Sequence, residues 1–215
     1  REGGEGDGKK RRRRMTGFHY LEDHGTSHVS VVDKDRNAVA LTSTVNLIFG
    51  SKLVSKSTGI ILNDEMDDFS SPGSPNAFGI IPSPENYIVP HKKPLSSMSP
   101  TLTFLPSPGN PLARLHMCLG ASGGPKIITA TLQTFLNYAV LGMPLYDAVV
   151  RSRVHDQLLQ QGVSKTLVDH DNLVTGQLIQ IKETTRGALL RRGHSLEDRD
   201  YMGIVQAIAV DLDFD

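Results

Sequence analysis

The pattern of apolar and polar residues predicts two pairs of β-strands. Residues 28–32 (HVSVV) and 37–45 (NAVALTSTV) are rich in valine and threonine, and the segment DKDRN that joins them has the composition of a tight turn. These two runs predict an antiparallel hairpin. Residues 101–105 (TLTFL) and 113–120 (ARLHMCLG), separated by the turn-rich PSPGNP, predict a second strand pair.

A helical pattern follows the strand pairs. Pro125 stands just inside the predicted start, Gly142 stands at the end, and apolar residues recur at positions 128, 132, 135, 136 and 139. A second helix is predicted from Pro144 to about Arg153. Further along, residues 172–194 are predicted to be helical in part.

The remaining segments complete the expected fold. Residues 71–100 are rich in proline, serine, glycine and asparagine, which predicts an ordered loop or a linker instead of regular structure. Residues 202–212 (MGIVQAIAVDL) predict a final buried strand. The order of strands, then helices, then a strand indicates a layered α+β fold with a largely antiparallel sheet.

Composition and charge narrow the class of protein. The chain has 215 residues, enough for one domain of ordinary size. Its 23 basic and 23 acidic residues balance, so the net charge gives no indication of binding to nucleic acid or to an anionic membrane. A single cysteine excludes an intramolecular disulfide, and no apolar run approaches the roughly 20 residues that span a bilayer.

The first residues differ in character from the rest. Residues 1–17 contain the glycine-rich and basic stretch REGGEGDGKKRRRR, which carries no apolar side chain, so we expect a disordered tail there and a folded domain over residues 18–215. The KKRRRR block fits either a nuclear-localisation pattern or a solvated tail. No function is assigned to it.

Thr26 is a candidate nucleophile at the mouth of the first strand. A threonine hydroxyl needs a base, and His28, two residues on, lies on the same face of an extended strand. A second solution is the α-amine of Thr26 itself, which becomes available only when the bond between Gly25 and Thr26 is cut. An ordinary turn residue at Thr26 is the third interpretation.

Two more segments carry candidate chemistry. The acidic run DEMDD at residues 64–68 is open to three interpretations: a solvated turn, a calcium site without the usual loop spacing, or a site for an ammonium group. In ASGGPK, two glycines directly precede a helix start. Backbone N–H groups there can bind a carboxylate or a developing oxyanion, although a plain helix-entry turn is an equal alternative.

Five motifs in one order resemble the small subunit of the γ-glutamyltranspeptidases, also called glutathione hydrolases. Within that family the resemblance is to the plant-type members above all. The motifs are HGTSHVSVVD, TSTVNLIFGS, GIILNDEMDDFSSPG, PLSSMSPT and GASGGPKIITAT. The resemblance covers about residues 18–210. It implies the small-subunit portion of an N-terminal-nucleophile hydrolase fold, an αββα sandwich that is incomplete in this chain. It also implies a precursor that cuts itself between Gly25 and Thr26.

The resemblance implies an activity and roles for individual residues. The freed α-amine of Thr26 would activate its own hydroxyl, which would attack the γ-glutamyl carbonyl of glutathione, form an acyl-enzyme, and pass the glutamyl group to water, an amino acid or a dipeptide. No metal or organic cofactor is implied, and His28 becomes structural. The implied roles are support of the nucleophile for Thr44, an oxyanion hole for Gly123 and Gly124, and substrate binding for Asn46, Glu65, Asp68, Ser96 and Ser97.

The chain also departs from the family pattern. Relatives carry a large subunit before the nucleophile and a closing lysine-glycine-glycine segment, so we expect a large-subunit-like chain to be needed for activity. The alternatives are a catalytically silent fragment that serves as an interaction protein or has no independent function, and a calcium-binding module. Relatives reach the cell surface, the extracellular space or the vacuole, but this chain contains no signal peptide that indicates its own compartment.

Overall fold

The computed structural model describes residues 25–107, 110–158, 165–170, 172–174 and 177–211. The expected disordered tail, residues 1–17, lies outside the described residues. The strands are β1 Thr26–Val32, β2 Ala38–Thr44, β3 Thr101–Ser107, β4 Asn110–Ser122, β5 Val154–Asp156, β6 Thr166–Asp169, β7 Asn172–Val174, β8 Gln177–Ile179, β9 Leu196–Arg199 and β10 Ile204–Ala209. The helices are α1 Ile127–Phe135, α2 Leu145–Val150 and α3 Glu183–Arg191.

The predicted first hairpin is confirmed. Strands β1 and β2 pair antiparallel, with Thr26 opposite Thr44. The turn between them is held by Asp33, whose carboxylate accepts hydrogen bonds from the backbone N–H groups of Asp35 (2.9 Å) and Asn37 (2.8 Å). This is the local bonding that makes aspartate a turn former. It fixes the register that places Thr26 and Thr44 side by side.

The second strand pair and the final strand form one sheet, in the order β10-β4-β3 with both pairs antiparallel. This sheet packs face to face on the first hairpin. The Cys118 thiol contacts the Val39 carbonyl at 3.2 Å, and the Ser30 hydroxyl donates to the Gln206 carbonyl at 3.4 Å. Strand-on-strand packing of this kind confirms the layered α+β prediction.

Helix α1 lies on the other face of the β10-β4-β3 sheet, with α2 beside it. The buried side chains of Ala121, Ile127, Ala130 and Val205 form a core there, and Val149 packs against it. The helix predicted after Pro125 is therefore confirmed, and it continues past Phe135 as one wider π-turn. Its apolar stripe points away from this core, however: the side chains at positions 128 and 132 are each 51% exposed.

The outer face of the first hairpin is also apolar and exposed. Val29 pairs with Leu41 and Val31 pairs with Val39 across the two strands, and all four side chains are between 46% and 56% exposed. The inner face carries Thr26 and His28, which are buried. In the described part of the chain, the layers are therefore helices, sheet and sheet, and no described helix covers this second sheet.

A separate sheet contains three of the later strands, in the order β5-β6-β9. Strands β6 and β9 pair parallel. The prediction of partial helix over residues 172–194 is right only from Glu183 onward, because β7 and β8 pair as a short antiparallel hairpin before α3 begins. None of the helices in the described ranges is long and apolar enough to cross a membrane.

The proline-rich segment is an ordered loop, one of the two alternatives expected for residues 71–100. Its regular structure is one 3-10 turn, Pro84–Asn86. The Asn86 side chain holds the loop in place, because its amide donates to the Asp68 carbonyl (2.8 Å) and its oxygen accepts from the Leu95 N–H (2.9 Å). Side-chain amide bonds of this kind satisfy backbone groups of a loop that has no ladder partners.

Candidate active site

One pocket brings most of the candidate residues together. It lies where the ends of β1 and β2, the proline-rich loop and the start of α1 meet. All of the candidate catalytic and substrate-binding residues line it except Glu65 and Gly123, which adjoin lining residues. The lining residues are Thr26, Thr44, Asn46, Asp68, Asn76, Phe78, Ile80, Leu95, Ser96, Ser97, Met98, Gly124, Pro125 and Ile127.

The hydroxyl of Thr26 is oriented by its strand partner. Its Oγ1 lies 2.8 Å from Oγ1 of Thr44, and Thr26 is buried. The Thr44 oxygen also accepts the backbone N–H of Asn46 at 2.8 Å. Because directly opposed residues of an antiparallel pair point to the same side, the hairpin register brings these two side chains together.

Gly25 has a conformation that requires glycine. Its φ is +64°, and a Cβ added there would lie 2.4 Å from the Leu47 carbonyl oxygen. Its own carbonyl accepts hydrogen bonds from the Val45 N–H (3.1 Å) and the Thr44 hydroxyl (3.4 Å). Two donors on one carbonyl draw electron density from its carbon, which favours attack by a nearby nucleophile.

His28 belongs to a different network from Thr26. Its Nδ1 lies 2.7 Å from the Thr42 hydroxyl and its Nε2 lies 3.1 Å from the Ser30 hydroxyl. Both ring nitrogens are therefore bonded to groups other than Thr26, and burial lowers the pKa of His28, which favours the neutral form of the ring. The ring packs against Gly120, where an added Cβ would come within 2.2 Å of it. This geometry favours a structural role over that of the base.

The acidic segment is attached to the end of β2. The Asp64 carboxylate accepts the Leu47 N–H (3.0 Å), and the Asp64 carbonyl accepts the side-chain amide of Asn46 (3.2 Å). Asp67 is also used internally, since its carboxylate accepts the Ala77 N–H at 3.1 Å. Asn46 itself has a φ of +73°, a conformation that asparagine tolerates better than most residues.

Glu65 and Asp68 form an interacting carboxyl pair. Burial raises the pKa of Glu65 to about 7, and the hydrogen bond to Asp68 and the nearby negative charges act in the same direction. Burial also raises the pKa of Asp68, although the hydrogen bond from Glu65 opposes this effect. The pair therefore retains a proton at a higher pH than ordinary carboxyl groups do. A cation placed against the pair would displace that proton.

The two serines and the two glycines bound other sides of the site. The Ser96 oxygen accepts the Met98 N–H at 3.2 Å, and Ser97 lines the pocket beside it. Gly123 and Gly124 have φ values of +133° and +59°, and a 3-10 turn, Gly124–Lys126, leads from them into α1. A turn at a helix start presents backbone N–H groups and the positive end of the helix dipole.

Sequence reasoning missed several lining residues, among them Phe78, Ile80 and Leu95. They belong to the proline-rich loop, whose composition predicts a loop but not its path. The Asn76 oxygen accepts the N–H groups of Phe78 and Ile80, each at 3.1 Å, and so bends the loop toward the site. The described residues contain no group of three or more histidine, cysteine, aspartate or glutamate side chains that could hold a metal ion.

Comparison with known proteins places these features in one family. The family model for gamma-glutamyltranspeptidase matches residues 6–214. Glutathione hydrolase 3 of Arabidopsis thaliana is 43% identical over 194 residues, which are 90% of this chain and 29% of that protein. Glutathione hydrolase proenzyme 1 of Schizosaccharomyces pombe is 48% identical over 142 residues, 66% of this chain and 22% of that protein. The chain thus spans less than a third of the length of both relatives.

Solved structures agree with the sequence comparison. A crystal structure of γ-glutamyltranspeptidase from Helicobacter pylori, with a threonine-to-alanine substitution, matches with a TM-score of 0.72 and 34% identity over 86% of this chain and 90% of that chain. The enzyme from Pseudomonas nitroreducens, complexed with L-DON, matches with a TM-score of 0.70 and 41% identity over 86% of this chain and 89% of that chain. The expected N-terminal-nucleophile hydrolase fold is confirmed, and the chain belongs to the γ-glutamyltranspeptidase family.

Proposed function

We propose that this chain is the catalytic part of a glutathione hydrolase that cleaves γ-glutamyl bonds and transfers the glutamyl group. The observation that carries the proposal is the 2.8 Å contact between the hydroxyls of Thr26 and Thr44. It lies in a pocket lined also by Asp68, Ser97 and Gly124. The pocket combines a nucleophile, acceptors for an ammonium group and a glycine turn suited to an oxyanion.

The first step of the proposal is maturation. The Thr26 hydroxyl attacks the Gly25 carbonyl carbon and its proton passes to the Thr26 nitrogen. The bond between Gly25 and that nitrogen breaks, which frees the α-amine and leaves an ester between Gly25 and the Thr26 oxygen. Water then hydrolyses the ester, which releases the Gly25 carboxylate and restores the Thr26 hydroxyl. The hydrogen bonds from Val45 and Thr44 to the Gly25 carbonyl support this step.

The second step is acyl transfer. The α-amine of Thr26 takes the hydroxyl proton, the oxygen attacks the γ-glutamyl carbonyl, and Gly123 and Gly124 stabilise the resulting oxyanion. The proton passes to the departing amine, which for glutathione is cysteinylglycine. Water or an amino acid then takes the glutamyl group from the threonine oxygen.

Recognition of the glutamyl group follows from the charges around the pocket. We propose that Glu65 and Asp68 bind its α-ammonium, because carboxylates supply acceptors only and the pair gains stability from a cation. Ser96, Ser97 and Asn46 are the proposed partners of its α-carboxylate. The apolar residues of the loop, such as Phe78, then bound the chain of methylene groups.

The exposed apolar surfaces support a partner for this chain. The outer face of the first hairpin and the outer stripe of α1 both present aliphatic side chains to solvent. Soluble proteins that act as monomers rarely expose apolar surface of this kind, and where it occurs it is typical of an interface with another protein. We propose that a large-subunit-like chain or region covers them and completes the enzyme.

A mass measurement tests the proposal. We expect the protein, incubated with its large-subunit region present, to be cut between Gly25 and Thr26 and then to hydrolyse a γ-glutamyl anilide. Thr26→Ala should remain uncut and inactive, whereas Ser27→Ala, a matched change of an exposed neighbour, should be cut normally. A protein that stays whole under these conditions, or that is cut but releases no aniline, would contradict the proposal.

One relative favours a second candidate. Glutathione hydrolase 4 of Arabidopsis thaliana carries the word inactive in its name, is 46% identical over 146 residues, and is covered over 73% of its length. A chain of this type could serve as a silent partner of other subunits. This alternative predicts a stable uncut protein that still binds a large-subunit-like chain.

A further inference from the structure

A short buried segment, residues 201–203, packs against the back of the glycine turn. A Cβ added to Gly123 would lie 2.7 Å from the Cα of Gly203, and a Cβ added to Gly203 would lie 2.9 Å from the Ser122 carbonyl oxygen. The two backbones are therefore in direct contact, with no side chain between them. Because close-packed backbones cannot absorb a shift, the position of Gly203 sets the position of Gly123.

Two cationic side chains hold this segment by its carbonyl groups. Lys126, which ends the glycine turn, donates to the Tyr201 carbonyl at 2.9 Å. Arg153 donates from Nη1 to the Gly203 carbonyl at 2.8 Å and from Nη2 to the carbonyl of Val149 in α2. The segment is thus tied at one end to the glycine turn and at the other end to α2.

Arg153 is an unusual residue in this position because it is only 6% exposed. Its backbone N–H donates to the carboxylate of Asp169 at 2.6 Å, and Asp169 is 1% exposed. A buried guanidinium is costly unless it is hydrogen-bonded and balanced by charge, and here the carbonyls and Asp169 provide both. A lysine has no planar fork with which to bond two carbonyls in fixed directions.

We infer that Arg153 is a positioning residue for the oxyanion turn, acting through the contact between Gly203 and Gly123. The inference rests on the proposed function, since it assigns Gly123 and Gly124 to the oxyanion. Arg153 does not line the pocket. Its guanidinium fixes the carbonyl of Gly203, Gly203 fixes the backbone of Gly123, and the N–H groups of the turn keep the direction that a tetrahedral intermediate needs.

The test compares Arg153→Lys with wild type in the mature protein that includes the large-subunit region. We expect kcat per titrated active site to fall about 10- to 100-fold, because misplacing an oxyanion donor by a fraction of an ångström costs transition-state binding. KM should stay within about twofold, since ground-state contacts are not touched. Gly203→Ala, which leaves Arg153 intact, should also lower kcat while KM stays nearly constant. Arg186→Lys, on the exposed face of α3, should leave both constants unchanged.

Amide hydrogen exchange gives a readout that does not depend on turnover. Exchange at Gly123 and Gly124 should be faster in Arg153→Lys than in wild type and Arg186→Lys. Unchanged exchange there, or a lower melting temperature with unchanged kcat per titrated site, overturns the inference. If wild type itself releases no product, the proposed function fails, and the exchange comparison still decides whether Arg153 sets the turn.

Discussion

At the scale of single residues, the role proposed for the carboxyl pair beside the pocket predicts that substrate binding depends on pH. Burial raises the pKa of Glu65 to about 7, so this carboxyl is protonated below that pH and ionised above it. An ammonium group binds the ionised pair better. We expect KM for a γ-glutamyl substrate to fall about tenfold between pH 6 and pH 8, as the ionised fraction rises.

Glu65→Gln separates this effect from other titrations. It removes the titrating group while it keeps the shape, so KM should be higher and nearly flat over the same pH range. The comparison requires KM profiles of both proteins at constant ionic strength. An equally steep profile in Glu65→Gln would mean that another group titrates with binding.

Some of the residues that line the pocket could be located from the sequence and others could not. Thr26 and Thr44 face each other because a hairpin with a short turn leaves one register that aligns the two runs. Phe78 and Leu95 were not identified, because their positions depend on hydrogen bonds that their backbone N–H groups donate to the side-chain oxygens of Asn76 and Asn86 within the loop. Bonds of this kind have no periodic pattern in sequence.

At the scale of elements, the first hairpin packs closely on the β10-β4-β3 sheet at Gly120, a residue without a side chain. The His28 ring occupies the space above Gly120, where a Cβ would lie 2.2 Å from the ring. We expect Gly120→Ala to lower the free energy of unfolding by about 1–3 kcal/mol, as overpacking does in a close-packed interior. Chemical denaturation of the protein measures this loss.

A double-mutant cycle checks the cause. In the background of His28→Ala the ring is gone, so Gly120→Ala should cost much less than it does alone. Equal costs in the two backgrounds would show that the strain comes from elsewhere in β4.

The elements that the sequence predicted well are those with a strong period. The alternation in residues 28–32 and the spacing of apolar residues after Pro125 each correspond to an observed element. The helix prediction was wrong where β7 and β8 lie, because a short apolar run fits a strand and a helix equally until its partner is known. The stripe of α1 was read correctly as helical, but sequence alone could not say which face the sheet covers.

At the scale of the whole molecule, the apolar outer face of the first hairpin is an exposed surface that no described helix covers. We expect Val31→Lys combined with Val39→Lys to weaken association with a large-subunit chain by at least about tenfold, since charges at an interface core are not tolerated. Leu190→Lys on α3, a similarly exposed leucine, should leave association unchanged. Analytical ultracentrifugation of the mixed chains provides the measurement, and equal affinities in the two variants would contradict the expectation.

The contact between Gly25 and the end of β2 determines how the rate of the proposed cut depends on protein concentration. Under the proposed function the attacking hydroxyl and the attacked carbonyl belong to one chain, so the cut is a first-order event whose rate is independent of concentration. Hydrolysis of the ester releases the Gly25 carboxylate, and nothing in the chain restores the bond. The uncut fraction of a population therefore falls exponentially with the time since its molecules folded, so that this fraction measures their age.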